Sequence, residues 1–355
     1  MIKLNEFLRG YRGDIDNFQV VGNMMVLPIV SDRDFSVKFG DVTEVQLSQD
    51  RQYGEMIFTN KSDRIGILLQ GASIITRQRA QDRTVPLTKL VKGLGSIMSR
   101  VFCIQSTQSG YIDGEKLDDE FKDDSHYRML PPELRQAAID AGFRGNGYDG
   151  IWKNLEQYTA TFPGFHSTSH LVDLYDHFDR SLNEFVAQFE PVYHQLGSIT
   201  IVDGELIAID ILPTYSSWAC MWRTFIRDSY GLEALRTVLN KSCLLPDWKF
   251  KQDGVNTIAA LREAVKDAKE DAANIAKTSW ERYSNKLVDI VPSRVTPNKL
   301  DSVELFDIKS DSFTGQAVYH DNHCVYLGLI PIGSSRGDKD RFARSRTYNN
   351  NSFRF

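Results

Sequence analysis

Four hydrogen-bond donors recur at alternate positions of the segment GASIITRQRAQDRT, residues 71–84, and they are Arg77, Arg79, Gln81 and Arg83. A single strand would place all four on one face, because successive side chains of a strand point to opposite sides. Asp82 then faces the other side, unless a bulge at Ala80 reverses the sides beyond it. Guanidinium groups form charge-assisted bonds with phosphate and carboxylate oxygens. The row predicts an anion-binding surface, and a solvated sheet face is the alternative.

A second candidate for chemistry is Cys103, which lies between Phe102 and Ile104. A reactive thiolate needs a positive neighbour, and the arginine row can provide one across a sheet. The alternative is a small core thiol, because free cysteine is among the most buried residue types. We expect the core thiol, and we keep Cys103 only as a candidate nucleophile for an enzyme acting on ADP-ribose.

Two further groups have residue types that occur in binding sites. The first, spaced like metal ligands, comprises His166, His170, Asp173 and His177. The last three share one side of a predicted helix, and the apolar stripe of that helix lies on a different side. We therefore expect these residues to face solvent and to bind no metal. The second group, aromatic and polar, comprises Trp222, Arg223, Ser229 and Tyr230. Aromatic residues at helical spacing predict core packing, and a base-stacking pocket is the alternative.

The C-terminal segment from residue 333 is rich in Arg and Asn and has almost no aliphatic residues, so we expect a flexible tail. Its aromatic and cationic side chains suit docking into grooves of a neighbouring subunit. The predicted partner-binding residues are Arg341, Arg344, Arg346, Tyr348, Phe353 and Phe355.

Composition limits the function classes. The chain has 355 residues, 41% of them hydrophobic, and a net charge of −5 that opposes attraction of the whole protein to nucleic acid or an anionic membrane. No apolar run is long enough to predict a membrane span, and the N-terminus has no secretory pattern. The four cysteines lie far apart, which predicts reduced thiols. We therefore expect a cytoplasmic location. If the protein is viral, we expect it in the cytoplasm of the host cell or in the virus particle. We expect no cofactor.

The elements that must position these residues change in character along the chain. Short runs rich in Val, Ile and Phe predict strands over 18–112, and an acidic loop then leads into a helical insertion over 113–196. A hairpin and helices over 197–290 and closing strands over 300–332 follow a first segment over 1–17. The expected fold class is α+β: a β-sandwich-like core with an inserted helical lobe and a C-terminal polar tail.

Three elements can be predicted in more detail. An apolar stripe predicts one helix over 167–196, formed by Leu171, Leu174, Phe178, Leu182, Phe185 and Phe189. Asp203-Gly204 predicts a tight hairpin turn, because both residues tolerate positive φ. Amphipathic patterns predict helices over 131–143, 216–239 and 257–280.

In its order of short motifs over about residues 18–332, the chain resembles the ARG and rhodanese-phosphatase-superfamily-associated protein (ARPP) domain family. The motifs that carry the resemblance are Ile67–Gly71, Gln81-Asp82-Arg83, Cys103, Gly150-Ile151-Trp152, the hairpin over 197–210, Trp222 with Ser229-Tyr230, and Gly315-Gln316-Ala317-Val318. The resemblance implies an association with enzymes that handle ADP-ribose, NAD or nucleotides.

The chain departs from the family pattern after Cys103. Gln105 stands where the family tends to have an acidic residue, and Ser109-Gly110-Tyr111 replaces Gly-Arg-Trp. Two extra residues also precede Gln81. Loss of the carboxylate removes the most obvious general base. We expect a non-catalytic or weakly catalytic protein that binds a phosphate-bearing ligand of the NAD or ADP-ribose type. The alternative is a structural component of a phage particle, with the core as scaffold and the tail contacting neighbouring subunits.

Overall fold

The computed structural model describes residues 3–332 apart from 15–16, 34, 53, 76–81, 105–126, 146–148, 166–169, 241–273, parts of 275–284, and 301. The described helices are α1 Leu4–Phe7, α2 Pro132–Arg144, α3 Asp149–Thr159, α4 Leu171–His177, α5 Asp179–Val186, α6 Tyr215–Arg223 and α7 Leu232–Asn240. A π-helical segment, Thr224–Gly231, joins α6 to α7, and a 3₁₀ turn spans Val42–Glu44.

The strands, in chain order, fall on both sides of the helical region. Those before it are β1 Arg12–Gly13, β2 Gln19–Val21, β3 Met24–Val30, β4 Val45–Gln52, β5 Glu55–Asn60, β6 Gly66–Leu68, β7 Ala72–Ile74, β8 Arg83–Thr84, β9 Lys89–Val91, β10 Ser96–Arg100, β11 Phe102–Cys103 and β12 Tyr127–Met129. Those after it are β13 Gln195–Val202, β14 Glu205–Ile211, β15 Ser293–Leu300, β16 Val303–Lys309, β17 Phe313–His320 and β18 His323–Pro331. The α+β class is confirmed.

A large antiparallel sheet forms the centre of the fold. Its strands run in the order β1-β3-β13-β14-β18-β17-β16-β15, and β2 also pairs with β3. The predicted hairpin is confirmed as β13 and β14, and its turn residues Asp203 and Gly204 have φ of 54° and 77°. Strands from the early and late parts of the chain therefore meet in one sheet.

Both faces of the large sheet are buried, and successive side chains of its strands enter cores on opposite faces. Met24 and Val26 lie in a core with Trp218, Phe225 and Tyr230 from the helix after the hairpin. On the opposite face, Met25 and Leu27 pack in a second core with Leu4 and Leu287. Continuous apolar strands such as β3 are typical of a sheet covered on both sides.

Three smaller sheets complete the described strands, in the orders β10-β5-β4, β11-β8-β7-β12 and β6-β9. Strand β12 lies inside the segment predicted as a helical insertion, and it pairs with β7 from the β-rich part. Likewise, β1 from the predicted N-terminal segment pairs with β3. Long-range pairing of such short strands has no local signal in the sequence.

The helix predicted over 167–196 is wrong in extent. The structure has two helices there, α4 and α5, separated at Phe178, and the chain is in strand β13 by Leu196. The apolar stripe is nevertheless buried at Leu171, Leu174, Leu182 and Phe189. Both helices pack on a third hydrophobic core, so the apolar spacing continues across the break. Periodicity alone therefore did not reveal where the first helix ends.

The other helix predictions have different outcomes. The helix over 131–143 is confirmed as α2, and the helix over 216–239 is confirmed as α6, the π-helical segment and α7. Most of the segment 257–280 lies outside the described residues.

Candidate functional site

The segment that carries the arginine row is a hairpin rather than one strand. Strands β7 and β8 are antiparallel partners, with Ile74 opposite Arg83 and Ser73 opposite Thr84. The chain therefore reverses between Ile74 and Arg83, and the prediction of a single strand with four donors on one face is wrong. Arg77, Arg79 and Gln81 belong to the connection 76–81, which lies outside the described residues. Their role in binding an anion stays a prediction.

Arg83 occupies the end of the four-stranded sheet, where it is 1% exposed. The solvated-face alternative is therefore wrong for this residue. Its cross-strand partner on the other side is Cys103, so both side chains lie on the same face of the sheet. The structure thus places a positively charged residue across the sheet from the thiol.

Cys103 is 1% exposed, in agreement with the core-thiol interpretation. Its backbone oxygen accepts a hydrogen bond of 2.9 Å from the indole nitrogen of Trp152 in α3. The bond ties the motif around Trp152 to the motif around Cys103, two of the short motifs that carry the family resemblance. A nucleophilic role for Cys103 stays a prediction.

Ile74, Arg83, Cys103 and Tyr127 form one row across the four strands. Strand β7 ends and β8 begins at this row, and β11 ends and β12 begins there too. The connections 75–82 and 104–126 consequently leave the same end of the sheet. Because the first connection contains Arg77 and Arg79, this sheet end is the candidate anion-binding site.

A buried ion pair lies between helix α2 and the hairpin of the large sheet. The Arg135 guanidinium donates two bonds to the Asp210 carboxylate, of 2.9 Å and 2.6 Å, and both side chains are 1% exposed. Burial lowers the pKa of Arg135, but the charge and hydrogen bonds of Asp210, together with Tyr230 and Tyr326, raise it by more, so the net shift is upward. The Arg135 guanidinium therefore stays charged beside this carboxylate.

The same carboxylate accepts a hydrogen bond from the hydroxyl of Tyr230. Burial is the main cause that raises the pKa of Tyr230, and the charge of Asp210 raises it further. Tyr230 therefore stays a neutral donor. Arg135 and Tyr230 together satisfy a carboxylate that would otherwise be very costly to bury.

Two glutamines of the family motifs bind backbone groups near this pair. Gln70 donates from its amide to the Gly328 oxygen at 2.5 Å, and Gln316 accepts from the Thr88 nitrogen at 2.6 Å. Gln316 also donates to Asp307 at 2.7 Å. The bonds to Gly328 and from Thr88 join the large sheet to the segment between β6 and β9, so the motifs hold separate parts of the fold together.

Sequence reasoning did not select Arg135 or Asp210 as members of a common site. A signal existed for each. Arg135 shares a helix face with Ala138 and Ile139, and Asp210 interrupts the apolar run over 206–212. A charge at a position whose pattern is buried predicts a buried partner. The partner's identity depends on tertiary packing and could not be read from either segment.

A second ionic cluster surrounds Asp228 in the π-helical segment. Asp228 pairs with Arg227 and, at 3.5 Å, with Arg128 of β12. Burial raises the pKa of the Asp228 carboxyl, and the two arginines oppose that rise. Arg227 also pairs with Asp179 of α5 at 2.5 Å. The cluster links the helical insertion to the four-stranded sheet.

A third cluster lies where α2, α3 and α7 meet. Arg236 pairs with Glu233 and, at 3.1 Å, with Glu133. Its guanidinium also lies over the ring of Tyr158, 5.0 Å from the ring centre. Burial raises the pKa of Glu133 to about 7, with Glu233 adding to the rise and Arg236 opposing it.

The remaining candidates have separate positions. Trp222, Ser229 and Tyr230 are buried as predicted for core residues, and the exposed Arg223 donates to Asn183 at 2.7 Å. Ser229 donates to the Leu130 oxygen at 2.8 Å. Asp173 and His177 lie on α4, His170 directly precedes it, and His166 lies outside the described residues.

The described part of the chain contains neither a metal-binding cluster nor a membrane-spanning helix. No group of three or more His, Cys, Asp or Glu side chains among the described residues could hold a metal ion. No helix in that same part is long and apolar enough to cross a membrane. The predicted partner-binding residues of the tail, from Arg341 to Phe355, lie outside the described residues.

Comparison with protein families gives a match over residues 13–330. The matching family is ARPP-1, described as the ARG and Rhodanese-Phosphatase-superfamily-associated Protein domain. No curated protein and no solved structure matches the chain.

Proposed function

The chain belongs to the ARPP-1 family, and from this premise we propose that it is a binding protein, non-catalytic or weakly catalytic, for a phosphate-bearing ligand of the NAD or ADP-ribose type. The proposed site is the end of the four-stranded sheet where Arg77, Arg79 and Gln81 join Arg83. The supporting observation is the chain reversal between Ile74 and Arg83, which places one end of the arginine-rich connection at a buried, sheet-anchored arginine.

The arginines suit this ligand class because each guanidinium can form two parallel charge-assisted bonds with phosphate oxygens. Arg83 is fixed by strand pairing on both sides, to Ile74 and to Cys103. A fixed residue at the base of the site lowers the entropy lost when a ligand is held. Arg77 and Arg79 are assigned the direct contacts with phosphate.

The polar residues of the core support the non-catalytic part of the proposal. Arg135, Asp210 and Tyr230 bond to one another, and Gln70 and Gln316 bond to backbone groups. A general base needs a proton acceptor that can reach substrate. The family's acidic position after Cys103 is Gln105 here, which cannot act as that base.

Isothermal titration of the full chain with ADP-ribose, NAD and mononucleotides tests the proposal. We expect binding of at least one of them, and at least a tenfold loss of affinity in the double variant Arg77→Gln/Arg79→Gln, since charge-assisted bonds contribute about 1.5–3 kcal/mol each. The matched control is Arg180→Gln, which removes an exposed arginine on α5. No heat with any ligand at high protein concentration, or equal affinity of the double variant, would refute the proposal.

A further inference from the structure

Three residues at one end of the large sheet form a serine, histidine and aspartate relay. Ser302 Oγ lies 2.9 Å from His320 Nδ1, and His320 Nε2 lies 3.2 Å from an Asp321 carboxylate oxygen. Ser302 directly precedes β16, His320 ends β17, and Asp321 begins the turn to β18. The relay is on a different sheet from the proposed anion-binding site.

The sheet fixes the relative position of these residues. Val303 is the cross-strand partner of His320, so Ser302 sits one residue beyond a paired position. Asp321 and Asn322 form the turn with φ of 47° and 64°, the left-handed values of a tight two-residue hairpin turn. The buried ring of Phe39 packs edge-on against the His320 imidazole, with 5.7 Å between ring centres.

The contacts of His320 favour the tautomer that carries the proton on Nε2. A proton on Nε2 is held by the Asp321 carboxylate, which leaves the lone pair of Nδ1 directed at the Ser302 hydroxyl. This arrangement defines an activated nucleophile: a hydroxyl, a base within hydrogen-bond distance, and a third group that orients the base. We propose that Ser302, His320 and Asp321 form an acyl-transfer site that hydrolyses small esters.

The proposed reaction balances with water as the only co-reactant. Ser302 Oγ forms a bond to the ester carbonyl carbon while its proton moves to His320 Nδ1. The bond to the leaving alcohol then breaks, and the alcohol takes that proton. Water next attacks the acyl-serine ester, gives a proton to His320, and releases the carboxylic acid as Ser302 regains its hydrogen. His320 acts as base and then acid in each half.

Further polar groups lie beside His320 at this end of the sheet. His323 is the cross-strand partner of His320, and its Nδ1 is buried with no hydrogen-bond partner among the described residues. Burial lowers the pKa of His323, and the charges of Arg33 and His320 lower it further, against the opposing charge of Asp321. The exposed Arg33 supplies a positive charge beside this pair.

Access to the nucleophile is open, because Ser302 is exposed and the turn residue Asp321 has a side chain 71% exposed. An open site without a described acyl pocket favours a short acyl group on a good leaving group. The substrate class is therefore a small activated ester rather than a long-chain or polymeric one.

A fluorophosphonate probe on the full chain tests the site, since it forms a covalent bond only with an activated serine. Intact-mass measurement is expected to show one adduct on the wild type and on the control Ser96→Ala, and none on Ser302→Ala. Ser96 is a fair control because its exposed hydroxyl bonds to Thr59 instead of a histidine. His320→Gln is expected to label at least tenfold more slowly.

Hydrolysis of p-nitrophenyl acetate gives an independent readout, with at least a tenfold lower rate expected for Ser302→Ala. An unlabelled wild type, or labelling and hydrolysis by Ser302→Ala at the wild-type rate, would overturn the proposal. Because Ser302 is exposed and lies in a turn, Ser302→Ala is expected to keep the fold, which circular dichroism can check.

Discussion

At the scale of single residues, Arg135 and Asp210 form the most deeply buried ion pair among the described residues. Replacing one partner leaves the other charge in a water-excluded site, which typically costs about 3–5 kcal/mol. We expect Arg135→Leu to lose stability in this range, because Tyr230 alone cannot neutralise the carboxylate. Urea unfolding measures the change in free energy.

The matched control is Arg12→Gln, which breaks a surface pair whose side chains are 70% and 88% exposed. Exposed pairs contribute about 0–1 kcal/mol, so the control should unfold almost as the wild type does. If Arg135→Leu lowers the free energy of unfolding by less than about 1 kcal/mol, the conclusion that this buried pair is needed for stability is contradicted.

Glu133 is expected to make stability depend on pH near neutrality. Its pKa rises from 4.5 to about 7 in the folded protein, so the folded state holds a proton that the unfolded state releases. The stability from this proton is complete below pH 4.5 and is lost as the pH rises through 7. Water screening at this partly exposed side chain reduces the loss to about 1–2 kcal/mol.

The variant Glu133→Gln mimics the protonated acid. We expect it to match the wild type at pH 5 and to be more stable by about 1 kcal/mol at pH 8, as measured by urea unfolding at both values. The exposed Glu184→Gln serves as the control and should change neither value. Equal pH dependence of wild type and Glu133→Gln would disprove the assignment.

At the scale of elements, structure with a local signal in the sequence could be predicted, whereas the pairing of strands could not. The turn at Asp203-Gly204 could be predicted because two adjacent residues with tolerance for positive φ determine it. The reversal between Ile74 and Arg83 could not, because alternating arginines fit a strand equally well and residues 75–82 contain no Gly, Pro or Asn that would mark a turn. The single-strand geometry of the arginine row was therefore wrong, and its role in binding an anion stays a prediction.

Gly71 tests how closely a strand connection approaches helix α2. It has φ of 76°, and a Cβ there would lie 2.6 Å from Arg135 Cγ. Arg135 cannot move aside without breaking its pair with Asp210. We expect Gly71→Ala to lose about 2–4 kcal/mol, from left-handed strain of about 1–2 kcal/mol plus the steric conflict.

Gly204→Ala provides a control with the same backbone conformation. Gly204 has φ of 77°, and an added Cβ would meet no atom within 4 Å, so only the strain remains. The difference between the two variants, measured by urea unfolding, isolates the contact with Arg135. Equal losses would show that Arg135 yields to the added methyl group.

At the scale of the whole molecule, the order of strands makes the late part of the chain indispensable. Strand β18 lies between β14 and β17 in the large sheet, and it contributes Leu327 and Leu329 to one core and Val325 to the other. An interior strand is the one element whose loss exposes two unpaired edges at once. Without the last described strand, the sheet is therefore divided into two parts.

Two truncations separate this architectural role from the predicted role of the tail in contacting neighbouring subunits. A chain ending at residue 322 lacks β18 and is expected not to fold. A chain ending at residue 332 keeps every described strand and both cores of the large sheet, so it should melt within about 2 °C of the full chain. Circular dichroism with heating measures both.

If the tail residues Arg341 to Phe355 dock onto neighbouring subunits, light scattering of the full chain will show a high-mass species that the 332-residue chain lacks. If the full chain and the 332-residue chain are both monomers, the result will count against an assembly role of the tail. The proposed ligand binding, which does not involve the tail, will then remain.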